Sequence, residues 1–271
     1  MMRSLPMRLL SGSILLGFPT LNSFRSLALS RHYKYSCLHV TSHVHIPESN
    51  FRTCWNCNRL VKDLAFFCQC GKIQPVNPNW SYFEIFGYPS PEPVVDLTEL
   101  ASRMRETQKL LHPDKFSGKT QYEKELASDA SAFVNKAYSC LQKPVERYEY
   151  LLHLHGMSTD NLDFKNSDDM EFLSQVMDIR EKVEEAVHDV MNFSSSEKNV
   201  SELSDTIHEL VGDLHQRLSS EEKTVVDSIG KSDWLGALMS LSRFKYILKI
   251  LEELREHEFA WKKLGINVTI T

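Results

Sequence analysis

The sequence predicts a mostly α-helical protein with one small metal-binding knuckle ahead of the helices. Three observations predict it. Four cysteines crowd into residues 54–70, apolar residues recur at helical spacing from about residue 80 almost to the end, and two long helical runs flank a His112-Pro113-Asp114 break. The chain has 271 residues, 42% hydrophobic and 25% charged, which allows one or two domains of ordinary globular composition. Its formal charge of −5 argues against a strongly basic nucleic-acid binder. It also lacks any uninterrupted apolar run of about 18 residues that would suggest a spanning helix.

Charge is uneven along the chain. Residues 1–47 hold Arg3, Arg8, Arg25, Arg31 and Lys34, with no acid before Glu48, so the remainder has 26 basic against 36 acidic residues. An Arg-bearing, Ser-rich, acid-free start is the composition of a mitochondrial transit peptide, whose positive charge is drawn across a membrane that is negative inside. A disordered tail and a secretory signal built on Ile14–Phe18 compete with this reading. The cysteines weigh against export because they are spaced for a metal rather than a disulfide framework. The mitochondrial matrix, where thiols stay reduced, is the expected compartment.

Residues 48–76 form the expected knuckle. Cys54-Trp55-Asn56-Cys57 is followed by Cys68-Gln69-Cys70, and two tight turns facing each other supply the four thiolates of a structural zinc site. Asn58 and Gly71 follow the second cysteine of each pair and tolerate positive φ, so each turn can aim its amides at sulfur. Phe66 and Phe67 are expected to cover the site. So short a segment needs the metal's binding energy to fold. The second pair, C-x-C, is one residue shorter than the usual C-x-x-C. Incidental thiol pairs and an iron–sulfur centre are the alternatives, and no ligand position is open for catalysis.

The helices follow after Pro75 and Pro78. Trp80–Phe86 reads as a short aromatic helix, and Pro89–Pro93 as a proline-broken linker. Asp96-x-x-Glu99 makes a capping-box-like start for a helix with Leu97, Leu100, Met104, Gln108 and Leu111 at helical spacing. Pro113 stops that helix at His112. A polar loop over 115–120 precedes a second helix over about 122–141, with Leu126, Ala130, Phe133, Val134, Ala137 and Tyr138 on its apolar face. Arg105 and Lys109 fall well off the first helix's apolar stripe, on the exposed face beside the loop.

Three helices occupy the C-terminal part. Over about 168–190, Phe172, Val176, Ile179, Val183, Val187 and Val190 form a core stripe, while Met170, Leu173 and Met177 form a second strip. The middle helix, about 197–229, reads as packing alone. Over about 231–256, Trp234, Ala237, Leu238, Leu241, Phe244, Leu248 and Leu251 face the core, and Met239, Tyr246 and Ile250 gather on another side. Two spare apolar strips mean either full burial or a binding surface.

A helical hairpin with His112-Pro113-Asp114 at its tip, preceded by a short aromatic helix, resembles a J-domain. J-domains stimulate the ATPase of seventy-kilodalton (DnaK-type) heat-shock chaperones. The tip chemistry suits that role. Pro113 stiffens the corner and lowers the entropy cost of docking. Asp114 offers a carboxylate to a partner arginine. His112 supplies a hydrogen-bonding ring, and Arg105, Lys109 and Lys115 supply positive charge.

Further residues narrow the resemblance. His112–Ser117, Val134-Asn135-Lys136-Ala137-Tyr138, Pro144 and Tyr150–Gly156 are similar to the HscB-type co-chaperones of iron–sulfur cluster biogenesis, over about residues 80–260. The resemblance implies a J-domain over 77–157 and a C-terminal three-helix bundle over 158–271 that binds an IscU-type scaffold. It further implies that Leu173, Ser174, Met177 and Tyr246 are scaffold contacts. Ser174 departs from the apolar residue expected there, which suggests a weaker or shifted contact. Eukaryotic members share the transit peptide and the four-cysteine knuckle, with a C-x-x-C second pair where this chain has C-x-C.

The function expected is therefore that of a co-chaperone and not an enzyme. No P-loop or dinucleotide-binding glycine motif is present, and the chain has ten glycines. The expected partners are a mitochondrial DnaK-type chaperone and the scaffold, with neither nucleic acid nor membrane among them. Oligomeric state is open. A general J-protein for unfolded clients, a zinc-ribbon nucleic-acid module and an enzyme using His112 and Asp114 are the competing functions. The acidic chain disfavours the second, and the lack of further catalytic groups the third.

Overall fold

The computed structural model describes residues 51–158, 167–191 and 199–270, excluding the side chains of 167–169, 173 and 191. The transit-peptide segment 1–47 and the first three residues of the knuckle range lie outside the described residues. The architecture is mostly helical, with the cysteine group near the N-terminal end, as the sequence predicts.

The knuckle starts with an antiparallel pair, β1 (Phe51–Thr53) and β2 (Leu60–Lys62), in which Arg52 faces Val61. Period-two alternation turns Val61 inward beside the cysteines and leaves Leu60 outside. Phe66 and Phe67 do not cover the sulfurs. A bridge between Phe67 and Ile73 turns this segment toward the helices, where both rings pack on the main core and Phe66 meets Trp80 edge-on at 5.5 Å. Val61 and Ala65 shield the cysteines instead. The large rings go where the larger apolar surface lies.

Four helices build the hairpin unit. The first, α1 (Tyr82–Ile85), begins after Trp80, with Ser81 and Glu84 forming a reciprocal capping box. In α2 (Leu97–Leu111), Asp96 caps the Thr98 and Glu99 amides, but the expected return arm is missing because Glu99 pairs with Arg103 at 2.6 Å. Pro113 ends α2 as predicted. The stretch after it is not simply a polar loop: Pro113–Phe116 winds into a 3-10 turn and buries Phe116. A Thr120–Glu123 capping box then starts α3 (Gln121–Gln142), and α4 (Pro144–Leu154) follows.

Alanines at 127, 130 and 137 let α2 and α3 pack closely, with Leu100, Leu111 and Val134 buried in the same core. Gln108 crosses the gap, donating to Asn135 at 2.9 Å and accepting from the Ser131 hydroxyl at 3.0 Å. Buried Arg147 donates to the Pro93 carbonyl at 2.8 Å and to that of Leu141, so it pins the proline linker to the α3–α4 corner.

The C-terminal helices are α5 (Ser167–Met191), α6 (Val200–Gly230) and α7 (Trp234–Lys263). Two cores run along them. Ala237, Leu238, Leu241 and Phe244 of α7 join Val225 and Ile229 of α6 in the hairpin core. Farther along, Ile247, Ile250, Leu251 and Leu254 join Ile179, Leu203, Ile207 and Leu214 in a second core. Ile250 is thus a core residue and not part of a spare strip. Because α7 changes packing partners along its length, it needs apolar residues on more than one side.

The junction between the units is polar as well as apolar. Lys245 pairs with Glu149, the Tyr148 hydroxyl donates to Glu222 at 3.0 Å, and His155 stacks on Trp234 at 3.6 Å. Helix α7 also runs two turns past its predicted end. Trp261 is fully buried, and Ile266, Val268 and Ile270 of the following segment join the second core. Trp261→Ala is expected to cost about 3–5 kcal/mol, measured by denaturant unfolding, as removal of a buried aromatic does elsewhere.

Candidate functional site

Three groups of residues carry recognisable chemistry. In the knuckle, the Sγ atoms of Cys54, Cys57, Cys68 and Cys70 all lie within 4.8 Å of one another. Cys54 and Cys70 are 3.8 Å apart and Cys57 and Cys68 3.6 Å, all four as free thiols. Corners of a tetrahedron with zinc–sulfur bonds of about 2.3 Å lie about 3.8 Å apart. The four sulfurs fit a metal ion of that kind.

Backbone amides favour the Cys54 and Cys70 thiolates. At Cys68 the Cys70 amide is outweighed by burial and by hydrogen bonds with the other thiols, which push that thiol up to about 12. Asn58 and Gly71 take φ of 57° and 78°, as predicted, closing turns in which their amides donate to the Cys54 and Cys68 carbonyls. Burial opposes ionisation of Cys54, but the Cys57 and Asn56 amides and neighbouring thiols outweigh it and bring the thiol down to about 6. Gln74 adds a side-chain donor at 3.3 Å from the Cys54 sulfur. The short C-x-C pair therefore reaches the cluster, aided by the freedom of Gly71.

The second group is the tip. Leu111 is buried at the end of α2, and buried Phe116 anchors the far side of the 3-10 turn. Between them His112 is 59% and Asp114 89% exposed, with Pro113 and Lys115 also exposed. His112 Nδ1 lies 3.4 Å from both the Asp114 amide and the Asp114 carboxylate, while the rest of the ring faces outward. The Ser117 hydroxyl bonds the Asp114 carbonyl at 3.0 Å. Arg105 and Lys109 are exposed on α2. Together these residues present an imidazole, a carboxylate and positive charge on a stiff corner.

Beside the tip, sequence reasoning missed a cleft of about 470 Å³ lined by Pro113, Phe116, Lys124, Ala127, Ser131 and Asn135. The small residues of α3 are the signal that could have found it. Exposed Leu110, next to Lys109, also went unremarked.

The third group lies on α5. Met177 is 53% exposed, and Met170 and Ser174 are exposed too, while Val176 and Ile179 point into the core. Leu173's side chain lies outside the described residues. Tyr246 is differently placed: it is half-buried, its hydroxyl accepts from Arg180 Nε at 2.6 Å, and its ring meets Phe172 edge-on at 6.0 Å. Arg180 also pairs with Glu253 at 3.5 Å. Tyr246 thus helps fasten α5 to α7. Among the described residues no helix is long and apolar enough to cross a membrane.

Comparison with known proteins agrees with this architecture. A family model described as the HSCB C-terminal oligomerisation domain matches residues 168–255. The mouse iron–sulfur cluster co-chaperone protein HscB is 31% identical over 211 residues, covering 74% of this chain and 81% of the mouse protein. A co-chaperone protein HscB homolog of Shewanella pealeana is 32% identical over 180 residues, 66% of this chain and 98% of its own. The crystal structure of human co-chaperone protein HscB superposes with a TM-score of 0.61 at 27% identity, covering 76% of this chain and 98% of the human one.

Proposed function

Because this chain belongs to the HscB family of iron–sulfur cluster co-chaperones, we propose that it couples an IscU-type scaffold to a mitochondrial DnaK-type chaperone. Its tip stimulates the chaperone's ATPase, and hydrolysis closes the chaperone on the scaffold and favours cluster transfer. ATP and the hydrolytic groups belong to the chaperone, and this chain is an adaptor rather than an enzyme. The observation that carries the proposal is the exposed His112-Pro113-Asp114 corner, held by buried Leu111 and Phe116 and flanked by Arg105, Lys109 and Lys115. Residues 1–47 carry five basic residues and no acid, the charge pattern of a matrix-targeting segment, and this supports the mitochondrial address.

The scaffold contact is assigned to the outer strip of α5, with Leu173, Ser174 and Met177 as its residues and Tyr246 as an aromatic neighbour. Exposed methionines adapt to a partner's shape and favour such a surface. The cysteine group is assigned to structural zinc through Cys54, Cys57, Cys68 and Cys70. Four closed thiolate positions supply folding energy and no site for substrate.

A single-turnover hydrolysis assay with mitochondrial chaperone, with and without scaffold, tests the proposal: this chain should accelerate hydrolysis and the scaffold should enhance the effect. No acceleration would refute it. Met177→Ala should weaken scaffold binding about tenfold by calorimetry, as loss of one well-packed interface anchor does. Circular dichroism should not change, since the side chain is exposed.

A further inference from the structure

We propose that the knuckle is a brace for the tip, with Trp55 and Lys72, one beside each cysteine turn, as positioning residues that hold the first turn of α3. The inference rests on reading the tip as the chaperone contact. The tip has two ends. One is secured by Leu111, buried in the hairpin core. The other lies beyond buried Phe116, at Thr120, the cap of α3, which is held by Glu123.

Glu123 is only 2% exposed, and its carboxylate has several donors. It accepts from the Thr120 hydroxyl at 2.9 Å and the Thr120 amide at 3.2 Å, and from Lys72 Nζ at 3.0 Å. The bond from the Thr120 amide is one arm of the capping box, whose other arm runs from the Glu123 amide to the Thr120 hydroxyl at 3.3 Å. The lysine comes from the knuckle and supplies the positive charge that a buried carboxylate needs. Next to it, Tyr122 receives Trp55 edge-on at a centroid separation of 5.0 Å. The Trp55 indole also donates to the Ile73 carbonyl at 2.7 Å, which ties the two cysteine turns together behind this contact.

The position of Lys72 follows from the short C-x-C pair. The Cys68 amide donates to the Lys72 carbonyl at 2.9 Å, so the residue two beyond Cys70 is folded back across the turn. Gln74 holds the same carbonyl at 2.9 Å while it reaches the Cys54 sulfur. A metal held by the four cysteines would therefore fix the backbone that carries Lys72. Without the lysine, the first turn of α3 would loosen, and the residues before it would have to be ordered during docking. That cost falls on the affinity for the chaperone and not on the maximal stimulated rate.

The test uses the full chain loaded with zinc. In Lys72→Met, backbone amides of residues 114–124 should exchange hydrogen about tenfold faster, while those of α6 and α7 keep wild-type protection. The concentration giving half-maximal ATPase stimulation should rise about three- to tenfold with the maximum unchanged, as expected for the cost of ordering about one residue. Lys72→Arg should restore both readouts. Tyr122→Ala, at an exposed position, should act in the same direction to a smaller extent. Chelating zinc from wild type should reproduce the faster local exchange and add little to Lys72→Met. Unchanged exchange at 114–124 in Lys72→Met would overturn the brace, and so would acceleration spread through the whole chain. Local acceleration in a protein whose wild type stimulates no chaperone would leave the brace standing and remove the functional reading beneath it.

Discussion

His112→Gln should return the chaperone's ATP hydrolysis to its unstimulated rate while scaffold affinity and helical content stay at wild-type values. The structure explains why the effect should be so selective. The ring is mostly exposed, and its bond from the Asp114 amide is long at 3.4 Å. Its loss should cost less than about 1 kcal/mol of stability, as for most surface substitutions. Leu111 and Phe116 still hold the corner in shape, and Pro113 still sets its backbone. What changes is the group offered to the chaperone, because glutamine lacks the imidazole ring and places its polar atoms differently. Stimulation that survived the substitution would show that the corner is not the chaperone contact.

Replacing Cys54 and Cys57 together by serine should take the purified protein from one bound zinc per chain to none by metal analysis. The apolar cluster around the knuckle's sulfurs has three buried members among the described residues, Cys54, Val61 and Cys68, too small a core to stand by burial alone. Structural zinc contributes apparent binding free energy on the order of 10 kcal/mol, so amides over residues 51–75 should lose their protection. Far-UV circular dichroism should change little, since the knuckle's described residues contribute two three-residue strands and no helix. A knuckle that kept its protected amides without metal would overturn the assignment.

Local chemistry was easy to read from this chain. Pro113 ends α2 because the residue before a proline disfavours helix, and Asp96 caps the helix it precedes. The four cysteines were legible as a group because ligand type and spacing act over a few residues. The exposure of His112, Asp114, Arg105 and Lys109 followed from helix period and a turn at the tip. Family resemblance, more than periodicity, pointed to the strip containing Met177.

Other features depended on neighbours that no helical wheel contains. Ile250 looked like a member of a spare strip, but the far half of α7 meets a second core and buries it. Tyr246 shared that strip and turned out to hold Arg180 of α5. Phe66 and Phe67 sit beside cysteines in sequence, yet they pack on the hairpin. Nothing near Lys72 in the chain announced Glu123, 51 positions away.

From its residues alone, this chain specified where the helix before the corner starts and stops, which cysteines stand together and which three residues turn the corner. Those are contests between backbone conformations settled within a turn or two by caps, prolines and ligand spacing. Which apolar face is buried, and which charge lies across from which, emerged from packing, because burial energy depends on surfaces brought together from distant parts of the chain.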